Sequence, residues 1–492
     1  MSTTTQPTLQ PRSTHVGGVH KGLILALLAA SQFVVVLDAS ITNVALPSIG
    51  RALSFSQDNL SWVVNAYTLT FGGFLLLGGR LADLLGRRRV YMAGLALFAA
   101  ASLVGGLAQS EAMLIGARSV QGLGAALLSP AALSILTTTF AEGTERNRAL
   151  GVWGAVAGSG GAVGVLLGGV LTEYLNWRWV LFVNVPIAVG AVVLAPRLIA
   201  ESRAQERPDT FDVGGAATVT AGLSLLVYSL VNANSAGWGS AETIALIAVS
   251  LLLLVAFVMI ERRSKAPLVP FDVFSSRTRT GSYVVGLLLA ASLFAMFFFI
   301  SLYMQQVLHW SAIRSGLSYL PLGLTIILAA GAGSQLTNRV GFKPVLVTGM
   351  LFVTAGLLWW TQIDPNGSFL GDVLGPELVA AIGLGLSFVS VTIGGTSGIA
   401  EHEAGLASGL LNAGQQVGGA LGLAILAAVA TARTGAVSGP PAQALTTGFQ
   451  AAFLTGAGLA LIGAILAMTL VSNSDSRELL AAARLEAAQA PA

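Results

Sequence analysis

Gly79-Arg-Leu-Ala-Asp83-Leu-Leu-Gly86-Arg87-Arg88-Arg89 closes one apolar run and opens the next, and it has a degenerate copy later in the chain. The copy reads Ser334-Gln-Leu-Thr-Asn338-Arg-Val-Gly341-Phe-Lys343. Leucine, Asp or Asn, glycine and a basic residue recur in register. By hydropathy the first copy follows the second apolar segment and its echo follows the tenth. Two loops of one chemistry, eight segments apart, predict two six-helix halves with an extra helix pair between them.

Working outward, apolar segments fall near 23–46, 61–79, 90–108, 112–139, 149–172, 179–196, 214–232 and 242–260, then 281–305, 315–337, 344–361, 375–396, 405–430 and 450–472. Each is about 18–28 residues, enough for a helix to cross roughly 30 Å of hydrocarbon. Lipid cannot satisfy backbone donors, so helix is the open-chain solution. The expected fold is an all-α integral membrane protein of about fourteen transmembrane helices. Its parts are a tail at 1–22, a six-helix bundle at 23–200, a linker with two extra helices at 201–279, a second bundle at 280–472 and a tail at 473–492. Residues 476–490 read as a short amphipathic helix on the inner side.

Composition agrees. The chain is 54% hydrophobic and 10% charged, against roughly 25% charge in soluble domains. Its 59 glycines let membrane helices approach closely. With no cysteine, disulfides and thiolate metal sites are excluded. A cleavable signal peptide is disfavoured, because the first apolar run exceeds the roughly 7–15 residues of a signal core. With the N-terminus inside, 20 of the 25 Lys and Arg fall in inner loops or tails and four outside, leaving Arg118 within a span. That bias predicts cytoplasmic termini and a multi-pass protein of the cell membrane. The basic residues sit in short loops, so no nucleic-acid partner is expected. Duplicated halves with a cavity between them are the architecture of alternating-access transporters.

These residues resemble the major facilitator superfamily, and within it the fourteen-helix drug:proton antiporters. Gly79 to Arg89 is similar to the superfamily's loop between its second and third spans. Leu37-Asp38-Ala-Ser40-Ile-Thr-Asn43-Val-Ala-Leu-Pro47 resembles the first-span motif, and Arg118-Ser-Val-Gln121-Gly122-Leu-Gly124 the fourth-span motif. Trp177-Arg178-Trp179 with Asn184-Val-Pro186, Pro267-Leu-Val-Pro270 and Gly405 to Gly418 also match that branch. The fifth-span antiporter motif is represented by Gly160, Gly164, Gly168 and Gly169, but Val165 stands where that motif carries proline. This departure weakens antiport relative to fold. Ser40 replaces a threonine, a milder change. The resemblance implies no cofactor beyond the proton gradient as energy source.

Asp38 and Arg118 are the charges placed deep within spans, roughly 12 Å and 9 Å from the outer end at 1.5 Å per residue. An isolated charge there costs roughly 2.5–3.5 kcal/mol on insertion scales, and a carboxyl can avoid that cost by taking a proton. Proton coupling is therefore assigned to Asp38, with Arg118 as its partner; a permanent ion pair is the alternative. Gly79, Asp83, Gly86, Arg87 and Arg88 are expected to form a cytoplasmic latch, as the resemblance implies. Candidates for the substrate cavity are Asn43, Asn65, Tyr67, Gln121, Phe294, Phe298, Tyr303, Gln305, Asn412, Gln415 and Gln416. Glu377 reads as near a helix end, leaving no evident mid-span acid in the second half. A pocket of phenylalanine, glycine and amides suits bulky amphipathic molecules.

No metal-ligand spacing and no Walker loop is found, and no nucleophile–base cluster points to an enzyme. The expected function is proton-coupled efflux of amphipathic drugs or antibiotics by a monomer embedded in the bilayer. Export of a cell-made metabolite or lipid, proton symport, and a non-transporting receptor or scaffold remain as alternatives.

Overall fold

A computed structural model describes residues 18–140, 144–202, 212–264, 267–269, 271–397, 404–474 and 476. The amphipathic helix expected at 476–490, and most of both tails, lie outside the described residues. Every apolar segment read from the sequence is helical. The long helices are α1 (Gly18–Leu53), α2 (Trp62–Leu85), α3 (Arg87–Gly106), α4 (Glu111–Thr139), α5 (Thr144–Tyr174), α6 (Asn184–Leu198), α7 (Val213–Ala236) and α8 (Ala241–Arg263). They continue with α9 (Arg277–Leu302), α10 (Leu320–Val340), α11 (Phe342–Trp360), α12 (Gly375–Gly395), α13 (Ala404–Gly435) and α14 (Pro441–Leu470). Among the described residues, twelve helical stretches are long and apolar enough to cross a membrane. Large apolar side chains such as Leu252, Leu328 and Leu454 stay exposed on their outer faces, as a lipid solvent requires.

Two boundaries differ from the hydropathy reading. α1 runs to Leu53 through Pro47, because a proline in a membrane helix is tolerated where neighbours re-satisfy the freed backbone group. α12 is preceded without a break by a π-helical turn, Phe369–Leu374, so its span is Phe369–Gly395.

The duplication is visible in the packing. α1 packs on α5 and α6, α2 on α4, and α3 on α4 and α6; in the second half α9 packs on α13 and α14, α10 on α12, and α11 on α12 and α14. Close crossings repeat too. A Cβ on Gly94 would lie 2.9 Å from the Gly124 carbonyl oxygen, and one on Gly349 would lie 3.0 Å from that of Gly383. Small residues let these backbones meet. α7 and α8 pair with each other, and α7 packs on α2 and α13 of the bundles.

The two quoted loops are also built alike. Gly86 has φ +111° and Gly341 φ +87°, left-handed conformations open to glycine. Two residues on, the Arg88 N–H donates to Glu201 Oε1 at 3.1 Å and the Lys343 N–H to Ser476 Oγ at 3.3 Å. Each loop is thus pinned to the chain that follows the sixth helix of its half. A Cβ on Gly86 would fall 2.6 Å from Glu201 Oε1. Gly86→Ala is therefore expected to cost about 1–3 kcal/mol in backbone strain, read as a lower melting temperature of the detergent-purified protein. An unchanged melting curve would show that the loop relaxes freely.

Candidate functional site

Four helices of the first half bring polar side chains to one buried point. α1 supplies Asp38, α3 Ser102, α4 Arg118 and Gln121, and α6 Asn184, and all five are buried. Arg118 Nη1 donates to Asp38 Oδ2 at 2.5 Å and to Gln121 Oε1 at 2.8 Å. Gln121 Nε2 donates to Asp38 Oδ1 at 2.8 Å and to Ser102 Oγ at 2.7 Å. Asn184 Nδ2 donates to the same Asp38 Oδ1 at 2.7 Å. Arg118 is held further by Nε donating to the Val63 carbonyl at 2.9 Å and by the Tyr67 ring, whose centroid lies 4.4 Å from its Cζ.

Arg118, Gln121 and Asn184 thus present three donor groups to one carboxylate. An ionised aspartate is acceptor-only, whereas a protonated one carries an O–H donor of its own. Three of the roughly four lone-pair positions of the ionised carboxylate are thus filled by donors from α4 and α6. The cluster ties Asp38 on α1 to α4 and α6. Asp38 and Arg118 do touch, in the middle of α1 rather than toward its outer end, since α1 extends beyond the apolar run.

The antiporter-motif glycines of α5 lie along α1 at this level. A Cβ on Gly160 would approach the Val36 side chain, and one on Gly164 would strike Ser40 Oγ and lie 2.9 Å from the Leu37 carbonyl oxygen. One on Gly168 would lie 2.8 Å from the Ile41 carbonyl oxygen, and one on Gly169 would lie 2.8 Å from that of Ala312, in the other half. With Val165 in place of proline, α5 runs unbroken from Thr144 to Tyr174.

The halves meet at the end of the bundles away from the Gly86 and Gly341 loops. Ser301 Oγ donates to the Asn43 carbonyl at 2.9 Å, Gln305 Nε2 to the Val44 carbonyl at 2.8 Å, and the Ala312 N–H to Glu173 Oε2 at 3.0 Å. A Cβ on Gly316 would lie 2.8 Å from the Val165 carbonyl oxygen.

The eleven residues expected in the substrate cavity therefore separate. Tyr67 and Gln121 belong to the Asp38 cluster, and Asn65 is buried in α2 with both side-chain polar atoms unpartnered. Asn43 and Gln305 belong to the contact between halves. Phe298 and Tyr303 are packed core. Phe298 stacks edge-on against Phe299, and the Tyr303 hydroxyl donates to the Asp364 carbonyl at 2.7 Å. Phe294 is half-buried against Gly419. Asn412, Gln415 and Gln416 share one face of α13, with Asn412 exposed and the glutamines half-buried, and Gln416 reaches Gly72 of α2.

Among the residues expected to form a latch, Gly79 faces Pro130 and the Arg87 N–H donates to the Ser202 carbonyl at 3.0 Å. Arg88 Nη1 donates to the Ile199 carbonyl at 3.0 Å. The side chain of Asp83 lies outside the described residues. Glu201, which faces Arg88 and Arg89 at 3.8 and 3.6 Å, was not expected, because in sequence it sits in a charged loop. Asn184 and Ser102 were not assigned to the site either, although each is a polar residue inside an apolar run. Among the described residues no group of three or more His, Cys, Asp or Glu could hold a metal ion.

Comparison with known proteins gives the family and the fold. The Major Facilitator Superfamily model matches residues 28–423. The chain is 40% identical to the puromycin resistance protein pur8 of Streptomyces alboniger, over 91% of each chain. It is 44% identical to the cephamycin export protein CmcT of Amycolatopsis lactamdurans, over 85% of this chain and 86% of that one. It is 32% identical to the multidrug transporter protein MdtP of Bacillus subtilis, over 84% and 76%. A crystal structure of a bacterial homologue of the human lysosomal transporter Spinster superposes with a TM-score of 0.67, at 16% identity, covering 97% of this chain and 100% of that one. The helices, the paired halves and the family match together identify the chain as a membrane transporter, not an enzyme, and it belongs to the major facilitator superfamily.

Proposed function

We propose that this chain is a proton-coupled exporter of amphipathic small molecules, of the fourteen-helix drug:proton antiporter type, acting as a monomer. The observation that carries the reading is the buried cluster in which Arg118, Gln121 and Asn184 all donate to Asp38. Fourteen long helices, two bundles at about 23–200 and 280–472 and the pair α7–α8 between them fit that type. The basic inner loops support cytoplasmic termini.

In the proposed cycle Asp38 takes a proton from outside, the contacts to α4 and α6 loosen, and the halves rearrange about the outer contacts at Asn43, Val44 and Ala312. Substrate is held by the amide face Asn412, Gln415 and Gln416 with Phe294, beside α2. Gly79, Gly86, Arg87 and Arg88 serve as the cytoplasmic latch, anchored on Glu201. Export of an antibiotic that the cell itself makes is a second reading, favoured by the similarity to a protein named for cephamycin export. Cells with the protein should accumulate less ethidium than cells without it, and an uncoupler should erase the difference. Higher accumulation in cells with the protein would point to uptake.

A further inference from the structure

The second half carries an acid at the position that Arg118 occupies in the first. Gly94 meets Gly124, and Gly349 meets Gly383, in the same close crossing. Arg118 stands six residues before Gly124, and Glu377 six residues before Gly383. Glu377 is 1% exposed, near the outer start of the span Phe369–Gly395, so it is buried in the span and not a solvated helix end. Among the described residues it forms no ion pair, and its Oε2 has no hydrogen-bond partner. Arg118 has Asp38 as counter-ion; among the described residues Glu377 has none.

Its neighbours explain how it could be reached. Tyr319, which interacts electrostatically with Glu377, is buried in the turn just before α10 and donates its hydroxyl to the Phe297 carbonyl at 3.0 Å. That turn follows the short helix Ala312–Ser318, whose Ala312 and Gly316 meet Glu173, Gly169 and Val165 of α5 across the halves. Of the titratable and charged groups on the elements packed against it, Tyr303, Asp364 and Asp372 are joined to one another at the same end of the span; Arg433 at the end of α13 is exposed, and Arg339 of α10, Lys343 of α11 and Arg277, Arg279 and Tyr283 of α9 stand at the opposite end. Arg314 is exposed and lies over the Trp310 ring at 4.1 Å.

We propose that Glu377 is a second proton-carrying residue, held as the neutral acid while the outer contact is closed and opened to the outside when α5 parts from Ala312–Ser318. A buried carboxylate without a cation or full hydrogen bonding is costly, and taking a proton removes the charge. Loss of that proton would require the covering turn to move or a cation to enter. This rests on the proton-coupled reading above but does not require Asp38 to be the coupling residue.

The test is infrared spectroscopy of the purified full-length protein at neutral pH. The wild type should show the carbonyl-stretch band of a protonated carboxylic acid. Glu377→Gln should lack it, Glu377→Asp should show it shifted, and Asp38→Asn should retain it. An identical band in wild type and Glu377→Gln, or no such band in the wild type, overturns the proposal. In proteoliposomes, the protons moved per ethidium should fall by one in Glu377→Gln. An unchanged ratio with weaker ethidium binding would also overturn it, and would make Glu377 an anchor for organic cations. If Glu377→Gln does not fold, Glu377→Asp carries the same comparison. A proton-driven Asp38→Asn would sink the Asp38 reading and leave the Glu377 band untouched.

Discussion

Asp38→Asn is expected to leave the protein in the membrane and to abolish efflux driven by a pH gradient. The substitution preserves size but removes the group that changes charge. It also strips Arg118 of its counter-ion, and breaking a buried pair costs about 3–5 kcal/mol, so a lower yield is expected as well. Yield and coupling are separable. Exchange of ethidium between the two sides of a proteoliposome, with no gradient imposed, should persist in Asp38→Asn. Asp38→Glu keeps the titratable group and should recover part of the gradient-driven rate. Efflux by Asp38→Asn that follows the pH gradient as in the wild type would remove Asp38 from the mechanism.

Gly164→Val should have an effect of similar size by a different route. Even a methyl group at Gly164 strikes Ser40 Oγ and the Leu37 backbone carbonyl. These flank Asp38, and backbone cannot move aside as a flexible side chain can. Overpacking typically costs about 1–3 kcal/mol. A larger consequence is expected here, because displacing α1 from α5 also moves Asp38 away from Arg118 on α4. Transport should be lost. Gly161, one turn away on the same helix, has nothing within 4 Å of an added Cβ, so Gly161→Val should transport nearly normally. Equal damage at both positions would mean that α5 tolerates no bulk anywhere, and that its packing on α1 is not what the glycines protect. The chain has no cysteine, so single-cysteine accessibility at Ser311 can follow the outer contact in both variants without a background label.

Much of the fold was legible because lipid imposes simple rules. Apolar runs of helix length, basic loops and the echo of Gly86 at Gly341 required no tertiary information. Asp38 and Arg118 stood out for the same reason: a charge in an apolar run is costly. What escaped were residues whose meaning depends on convergence. Asn184 and Ser102 are common polar residues on different helices, and only the crossing of α3, α4 and α6 brings them to Asp38. Polar residues inside the runs 90–108 and 179–196 were the available signal. Aromatics and amides suit a pocket, so Tyr67 and Gln121 read as cavity residues; in the structure both stand against Arg118. Tyr303 reads as a cavity residue for the same reason, and its hydroxyl donates to the Asp364 carbonyl. Glu377 read as a helix end because Gly371, Asp372 and Gly375 suggest a loop, and a π-helical turn carries the span outward past them. Glu201 was hidden in a charged loop, where solvation is the ordinary fate of a glutamate.

The proline missing from the fifth-span motif has a local reading. Val165 keeps its backbone N–H, so α5 needs no kink there, and its carbonyl forms the close contact with Gly316 of the other half. The glycine face toward α1 is intact. The departure leaves the glycine surface around Asp38 in place.

The most direct test of the central claim is the direction of proton flow in the wild-type protein. Purified protein is placed in liposomes that enclose a pH-sensitive dye, and an ethidium gradient is imposed with no initial pH difference. Proton-coupled export predicts that ethidium moving one way drives protons the other way. Protons moving in the same direction as ethidium, or ethidium moving with no change in internal pH, would contradict the account.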